Sequence, residues 1–555
     1  MNASILAALA IFAVALYLAR RLQIRLRLSR AKHPSIAGHA KISKRLARLL
    51  PFYEYTAETA FASDGAASEV VAKRRQAFDQ LADSLAAAAP KTIAASNALE
   101  PHLSDMQFTN AYRVPFQYRR LAAERFPPGA LAVATDGVKI QNLDGNWSYD
   151  VGGSYGVNLL GYDFYKGCIE RAAERVRDLG PVLGPYHQII AENVRLLREI
   201  SGLDQVSFHM SGTEAVMQAV ALARYHTGKT HLVQFTGAYH GWWDGVQPGV
   251  GGQRRTSDVY LLEDMSEATL KVLRTRKDIA CVLVNPLQAL HPNRSATNDA
   301  MLIASDRSAG FDREGYQAWL QALRRICTKR GIVLLFDEVF VGFRLGLGGA
   351  QEYFGVKADM VTYGKSLGGG LPVGVVCGKA HLMRRYKANN PADICFARGT
   401  FNSHPYVLAA MNEFLRYATS AEFARDIALA DGLWSARAAN LNDRFQEAGV
   451  PIRVHNLSSI WILTYEQPGR YNWMLQYYLR AEGLALAWVG TGRFIFSHNY
   501  TDADFEAVAD RFVSAATRMR ADGWWSAPEA LSNGAIKKQV FRETLASRFF
   551  PRAAN

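Results

Sequence analysis

The chain has 555 residues, of which 49% are hydrophobic, 21% charged and 11% aromatic. That is a globular composition and excludes a disordered, collagen-like or low-complexity protein. The length allows a sizeable core without covalent staples. Five scattered cysteines with no CxxC spacing argue against a disulfide scaffold or structural zinc and suit a reducing compartment. The net charge of +14 is unevenly placed: ten basic residues lie between Arg20 and Arg48, no acid precedes Glu54, and the rest of the chain carries only +4. The body therefore has no electrostatic case for binding nucleic acid.

In chain order, the first feature is Ala3–Ala19, a 17-residue apolar run whose polar side chains are Ser4 and Tyr17. As a helix it spans about 26 Å, just short of a hydrocarbon core, and snorkelling of Arg20 and Arg21 covers the difference. A cleavable signal peptide carries its positive charge before the apolar run, whereas here the arginines follow it. Residues 1–20 are therefore expected to be a single-span anchor with the remainder on the cytoplasmic side. A core helix or a membrane-surface helix is the plainer alternative.

Residues 21–104 read as a basic juxtamembrane and helical linker, broken at Pro34 and Pro51, with helical spacing from Ser68 to Ala89 ended by Pro90. Beyond about Gly129, short apolar runs alternate with amphipathic stretches. Strands are expected at Val206–Phe208, His231–Phe235, Ala280–Val284, Ile332–Phe336 and Met360–Tyr363. Helices are expected at Thr213–His226, Glu314–Arg330 and Ser403–Thr419. This alternation predicts an α/β domain with a mostly parallel sheet. A smaller α+β section follows over 433–521. A tail, 522–555, mixes Trp524, Trp525 and Phe541 with lysines and arginines, as would a surface helix that touches the membrane or, the plainer reading, packs on the body.

Four segments carry the chemistry. Ser211-Gly212-Thr213-Glu214 lies between a strand and a helix, where helix-terminal N–H groups and a hydroxyl suit a phosphate; alone it is a common N-cap. Phe235–Asp244 runs from a strand into a turn that presents Tyr239 and His240, an aromatic cover for a flat ring or ordinary packing. Ile332–Arg344 is a buried strand ending in Asp337-Glu338, at the strand end where open α/β sheets bind ligands. Asp359–Gly378 delivers Lys365 into a loop with Gly364, Gly368, Gly369 and Gly370. Burial there favours the neutral amine that Schiff-base chemistry needs.

Together these segments resemble the class III (fold type I) family of pyridoxal-phosphate aminotransferases, and most closely its glutamate-1-semialdehyde aminomutase-like subgroup. The likeness covers roughly residues 105–520. It rests on DEV followed by GFR at Asp337–Arg344, on GGGLPVG after Lys365, and on Asn142–Gly161. It implies a large domain at 171–432 that binds pyridoxal 5'-phosphate, a small domain built from 105–170 and 433–521, and a homodimer. It further implies that Lys365 bonds the cofactor and shuttles a proton, while Asp337 pairs with the ring nitrogen. Tyr239 and Val339 would cover the two ring faces, Gly212 and Thr213 would hold the phosphate, and Thr400 would reach the phosphate of the neighbouring subunit. Asn285-Pro286 stands where the family carries Glu-Pro, and Tyr162-Asp163-Phe164-Tyr165 replaces His-x-His-Pro.

The expectation is a membrane-anchored aminotransferase passing an amino group from an amino-acid donor to a lipophilic aldehyde or ketone. Tyr162, Phe164, Tyr165, Trp242 and Trp243 are available to line an apolar pocket, while Arg113, Arg119, Arg398 and Arg493 are candidates to hold a carboxylate. The rivals are an aminomutase of the glutamate-1-semialdehyde type and a non-catalytic scaffold of the same fold tethered to the membrane.

Overall fold

The computed structural model describes residues 3–34, 38–126, 129, 131–249, 252, 257–290, 311–487, 492–526 and 531–549. Seven strands build the central sheet: β1 (Gln205–His209), β2 (His231–Phe235), β3 (Val259–Leu262), β4 (Ile279–Val284), β5 (Val333–Asp337), β6 (Met360–Gly364) and β7 (Gly374–Gly378). Their order is β1-β7-β6-β5-β4-β2-β3, with β7 antiparallel to both neighbours and every other pair parallel. The strands β4 to β7 are buried along their whole length, as near-continuous apolar runs require when helices cover both faces. The five strands expected from sequence are all present, and β3 and β7 add an edge and the antiparallel member.

Helices end where their chemistry says they should. Asp312 accepts the Gly315 N–H at 2.8 Å to start Arg313–Arg330, and Gly331, at φ 58°, closes it.

A second core is made from both ends of the chain. Phe61, Phe78, Tyr118 and Tyr149 meet Trp434, Trp461, Tyr478 and Phe512 in one apolar cluster. Strands Ala132–Asp136, Lys139–Asn142 and Trp147–Asp150 form one sheet with Leu484–Ala485. The antiparallel strands Ile452–Leu457, Ile460–Tyr465 and Arg493–Ile495 form another. Helix Ala421–Glu447 runs across the boundary expected at 432, so the two bodies share an element.

At the N-terminus, α1 (Ala3–Arg30) continues eleven residues beyond the apolar run without a break. From Ile5 to Leu22 its side chains are exposed, whereas Leu28 packs against the large core and Ala31 is fully buried. The Ala31 carbonyl accepts the Glu263 N–H at 2.9 Å. A short helix, α2 (Ala40–Leu49), follows.

Candidate active site

The parallel strands present their carboxyl ends along one edge of the large sheet, and the site is assembled there. Asp337 ends β5 and is 5% exposed. Its Oδ1 accepts the Val339 N–H and the Thr362 hydroxyl, both at 3.2 Å. Its Oδ2 lies 2.7 Å from His240 Nδ1, which donates to it. The His240 ring is wholly buried and its Nε2 has no hydrogen-bond partner among the described residues. One carboxyl group thus accepts three hydrogen bonds in the wall of a cavity of about 730 Å³.

On the neighbouring strand, Lys365 follows Gly364 with a φ of 50°, a left-handed backbone that a lysine adopts only when its surroundings impose it. Burial pushes its amine down to about 8; the Asp337 carboxylate opposes that shift, and the Arg344 and Arg493 guanidiniums add to it. About a fifth of the amine is therefore neutral at about pH 7.4, far more than for an ordinary lysine.

Val339 occupies a slot that only glycines leave open. A Cβ on Gly212 would lie 2.6 Å from its Cγ1, and one on Gly364 would lie 3.2 Å away. Gly212 opens helix α3 (Gly212–Thr227). There Ser211 Oγ accepts the Glu214 N–H at 3.2 Å, and the Ser211 carbonyl accepts that of Ala215. Gly212 and Thr213 form the first turn at the positive helix end, where N–H groups lack intrahelical partners, and both line the cavity. Gly241, at φ 91°, brings the Tyr239–His240 turn onto this terminus; a Cβ there would sit 2.5 Å from Thr213 Oγ1. Tyr239 overhangs the cavity, 54% exposed. The Asn285 amide clamps that turn, donating to the Tyr239 carbonyl at 3.1 Å while accepting the Leu287 N–H.

Behind the lysine, Arg344 is fully buried. It donates to the carbonyls of Gly156, Asn158 and Phe496 and to Ser459 Oγ, at 2.9–3.3 Å. Ser366, next to the lysine, donates to the same Gly156 carbonyl. The strained Ser154-Tyr155 corner, both residues at positive φ, is fixed by this knot, and Tyr155 lines the cavity. Glu338 is buried beside Asp337; burial, reinforced by that carboxylate, pushes its acid up to about 8.

Six of the seven expected site residues (Lys365, Asp337, Gly212, Thr213, Tyr239 and Val339) line the one cavity. Thr400 is exposed and stands outside it. The aromatic pocket needs correcting. Tyr162 bonds Asp150, Phe164 and Tyr165 pack on Phe414, and Trp243 packs on a separate apolar cluster that includes Val216 and Val246, so only Trp242 lines the cavity. Its apolar wall comes instead from Tyr155, Val157, Leu287, Phe340, Leu371 and Ile495. Of the four arginine candidates, Arg493 alone lines the cavity, its guanidinium pushed down to about 10 by burial. The sequence singles out His240 beside Tyr239 in the turn, but its bond to Asp337 is visible only in the structure.

A helix-terminal anion cradle, a carboxylate on one strand end and a partly neutral lysine on the next define a fold-type-I pyridoxal-phosphate enzyme. The chain belongs to the class-III aminotransferase family, whose pattern matches residues 122–515. It is 30% identical over 411 residues to a glutamate-1-semialdehyde 2,1-aminomutase of Geotalea daltonii, covering 69% of this chain and 89% of that one. Among solved structures it is similar to an omega-transaminase from Sphaerobacter thermophilus, with a TM-score of 0.60, 26% identity, and 72% and 96% of the two chains covered. A glutamate-1-semialdehyde aminomutase from Pseudomonas aeruginosa shares the fold, with a TM-score of 0.64, 18% identity, and 81% and 99% covered. The cofactor of this family is pyridoxal phosphate, and the residues present fit it. Gly212 lets Val339 and Gly241 lets Thr213 come closer than a Cβ would allow, at the helix start that lines the cavity, and Asp337 lines the same cavity with His240 bonded to it.

Proposed function

We propose that this enzyme is an intermolecular aminotransferase whose acceptor is a lipophilic aldehyde or ketone, working as a homodimer at a bilayer surface. Bound pyridoxal phosphate supplies the carbonyl that takes up an amino group and the conjugated ring that accepts the electrons of the broken bond. Gly212 and Thr213 N–H groups bind the phosphate, with Thr400 of the other protomer completing the cradle. Asp337 keeps a proton on the ring nitrogen, and His240 orients that carboxylate. Tyr239 and Val339 hold the ring flat. Lys365 Nζ carries the cofactor and then moves the proton to and from the substrate carbon.

The observation that carries the substrate reading is the cavity wall. Apart from Lys365 and Asp337, its ionisable groups among the described residues are Arg493, His240 and Tyr155 and Tyr239, and the rest of the wall is largely apolar. Arg493 is placed to take a donor carboxylate. Exposed Trp242 and Phe396, at 72% and 79%, lie near the site or close to Thr400 in sequence and support a second protomer covering that side. The exposed apolar run of α1, followed within the same helix by the arginines, supports the anchor.

The test is to follow amino transfer to aldehydes of increasing chain length. In a fitted apolar pocket kcat/KM rises about fivefold per methylene. A flat profile overturns the lipophilic acceptor. The relatives named as aminomutases favour a second reading, transfer within one molecule. Turnover of glutamate semialdehyde with no added amino donor would establish it.

A further inference from the structure

The segment between α1 and the catalytic body carries a membrane signal of a different kind. In α2, Lys41, Lys44, Arg45 and Arg48 fall within one side of the helix, while Ile42, Leu46 and Leu49 recur at i, i+4 and i+7 on the other. The body covers the apolar side only in part: no residue of α2 is buried, Leu46 is half-buried, and Ile42 and Leu49 are 53% and 66% exposed, with Phe52 just beyond at 56%. A helix this short gains nothing from leaving Ile42 and Leu49 in water.

Both ends of the segment are fixed. Before α2, Ala31 is buried, and its carbonyl is bonded to the Glu263 N–H and the Thr269 hydroxyl. After it, the Tyr55 N–H donates to the Gln117 carbonyl, and the hydroxyls of Tyr53 and Tyr55 donate to Glu543 of the C-terminal helix. The helix is strung between two moorings. The first mooring is on the active-site side. Glu263 directly follows β3, at the same carboxyl edge as Asp337 and Lys365, and β3 is three strands from β5, about 14 Å away.

Resting on the anchored reading above, we propose that α2 lies in the headgroup layer of an anionic bilayer, with Ile42, Leu46 and Leu49 among the acyl chains and the four basic residues at lipid phosphates. Charge complementarity selects the occupant: no acidic residue precedes Glu54, so the whole segment is cationic, as an anionic surface favours and a second copy of the same segment does not. With α1 crossing the bilayer and α2 lying on it, the carboxyl edge of the sheet is held close to the membrane. A substrate leaving the bilayer then meets the cavity without crossing bulk water.

The test uses the full chain in nanodiscs of zwitterionic lipid, with or without roughly one quarter of an anionic phosphoglycerol lipid. An environment-sensitive dye is placed at Leu49→Cys, at Ala47→Cys on nearly the opposite side, or at Leu16→Cys within α1, each with Cys395→Ser to remove the partly exposed thiol. Quenching by acyl-chain spin labels is expected at Leu49 and not at Ala47, about threefold stronger in the anionic discs and lost in about 0.5 M salt. Lys41, Lys44, Arg45 and Arg48 all changed to Gln should bring the anionic value down to the zwitterionic one. Quenching at Leu16 without quenching at Leu49 overturns the proposal and leaves the anchor standing; absence of quenching at both removes the anchor as well. Equal quenching at Leu49 in the two lipids, or burial of Leu49 by a second protomer in detergent, also overturns it.

Discussion

Two regions of this molecule bury charge, and they do so in opposite ways. Near the join between the chain's extensions and its small domain, Arg74 and Asp64 form a fully buried pair, and the arginine also donates to the carbonyls of Phe61, Gly523 and Ser526. Every N–H of that guanidinium is satisfied. At the carboxyl edge of the large sheet the accounting stays open: His240 Nε2 and Glu338 Oε1 have no partner among the described residues, and Lys365 and Glu338 are both pushed toward their neutral forms. A closed network holds chain segments together, whereas an open one stores binding capacity for a ligand with its own charges. The two regions should therefore fail differently when cut.

Lys365→Ala should lower turnover by at least about 10⁴-fold, because it removes both the covalent link and the proton carrier. Its thermal unfolding should stay close to wild type, since the lost amine was poorly solvated. A large drop in Tm alongside the lost activity would break the contrast. Asp337→Asn should still bind the cofactor but lose about 10²-fold or more in kcat, read by steady-state kinetics on cofactor-saturated enzyme.

Asp64→Ala should do the reverse. It leaves Arg74 buried without its partner and costs about 3–5 kcal/mol of stability, measured by denaturant unfolding, with kcat/KM per folded molecule unchanged. Loss of kcat/KM without loss of stability would show that the closed network also serves the site.

The pH dependence sharpens the same point. An amine pushed down to about 8 becomes neutral as pH rises through that value, so the rate at which apoenzyme captures pyridoxal phosphate should climb about tenfold between about pH 7 and 9 and then level off. An ordinary lysine would keep gaining past that point, about 100-fold over the same interval. The smallest effect is expected at Glu543→Gln, which weakens the hydrogen bonds from Tyr53 and Tyr55 by about 1–2 kcal/mol and should loosen the N-terminal mooring more than the enzyme. Faster proteolysis between residues 31 and 53 with unchanged activity is the readout.

Lys365 and Asp337 were readable in the linear sequence because Asp337 closes a buried strand and Lys365 directly follows one, so strand, turn and reactive group are covalent neighbours. The same holds for the Gly212-Thr213 helix start and for the apolar run of α1. The sequence by itself thus determined the alternating α/β pattern, the six cavity residues and the charge asymmetry of the first 53 residues. What it left open depends on residues far apart. His240 meets Asp337 across 97 positions, and Tyr55 meets Glu543 across 488. Tyr162, Phe164 and Tyr165 looked like pocket residues because aromatic side chains fill a core and line a cavity equally well; only the packing of Phe414 and the position of Asp150 turned them inward. Arg493 and Phe340 were placed on the cavity wall in the same way, by neighbours from distant segments. Local pattern specifies which groups a strand end can present. Which of them face one another depends on close packing between elements far apart in the chain, and that packing exists only in the folded state.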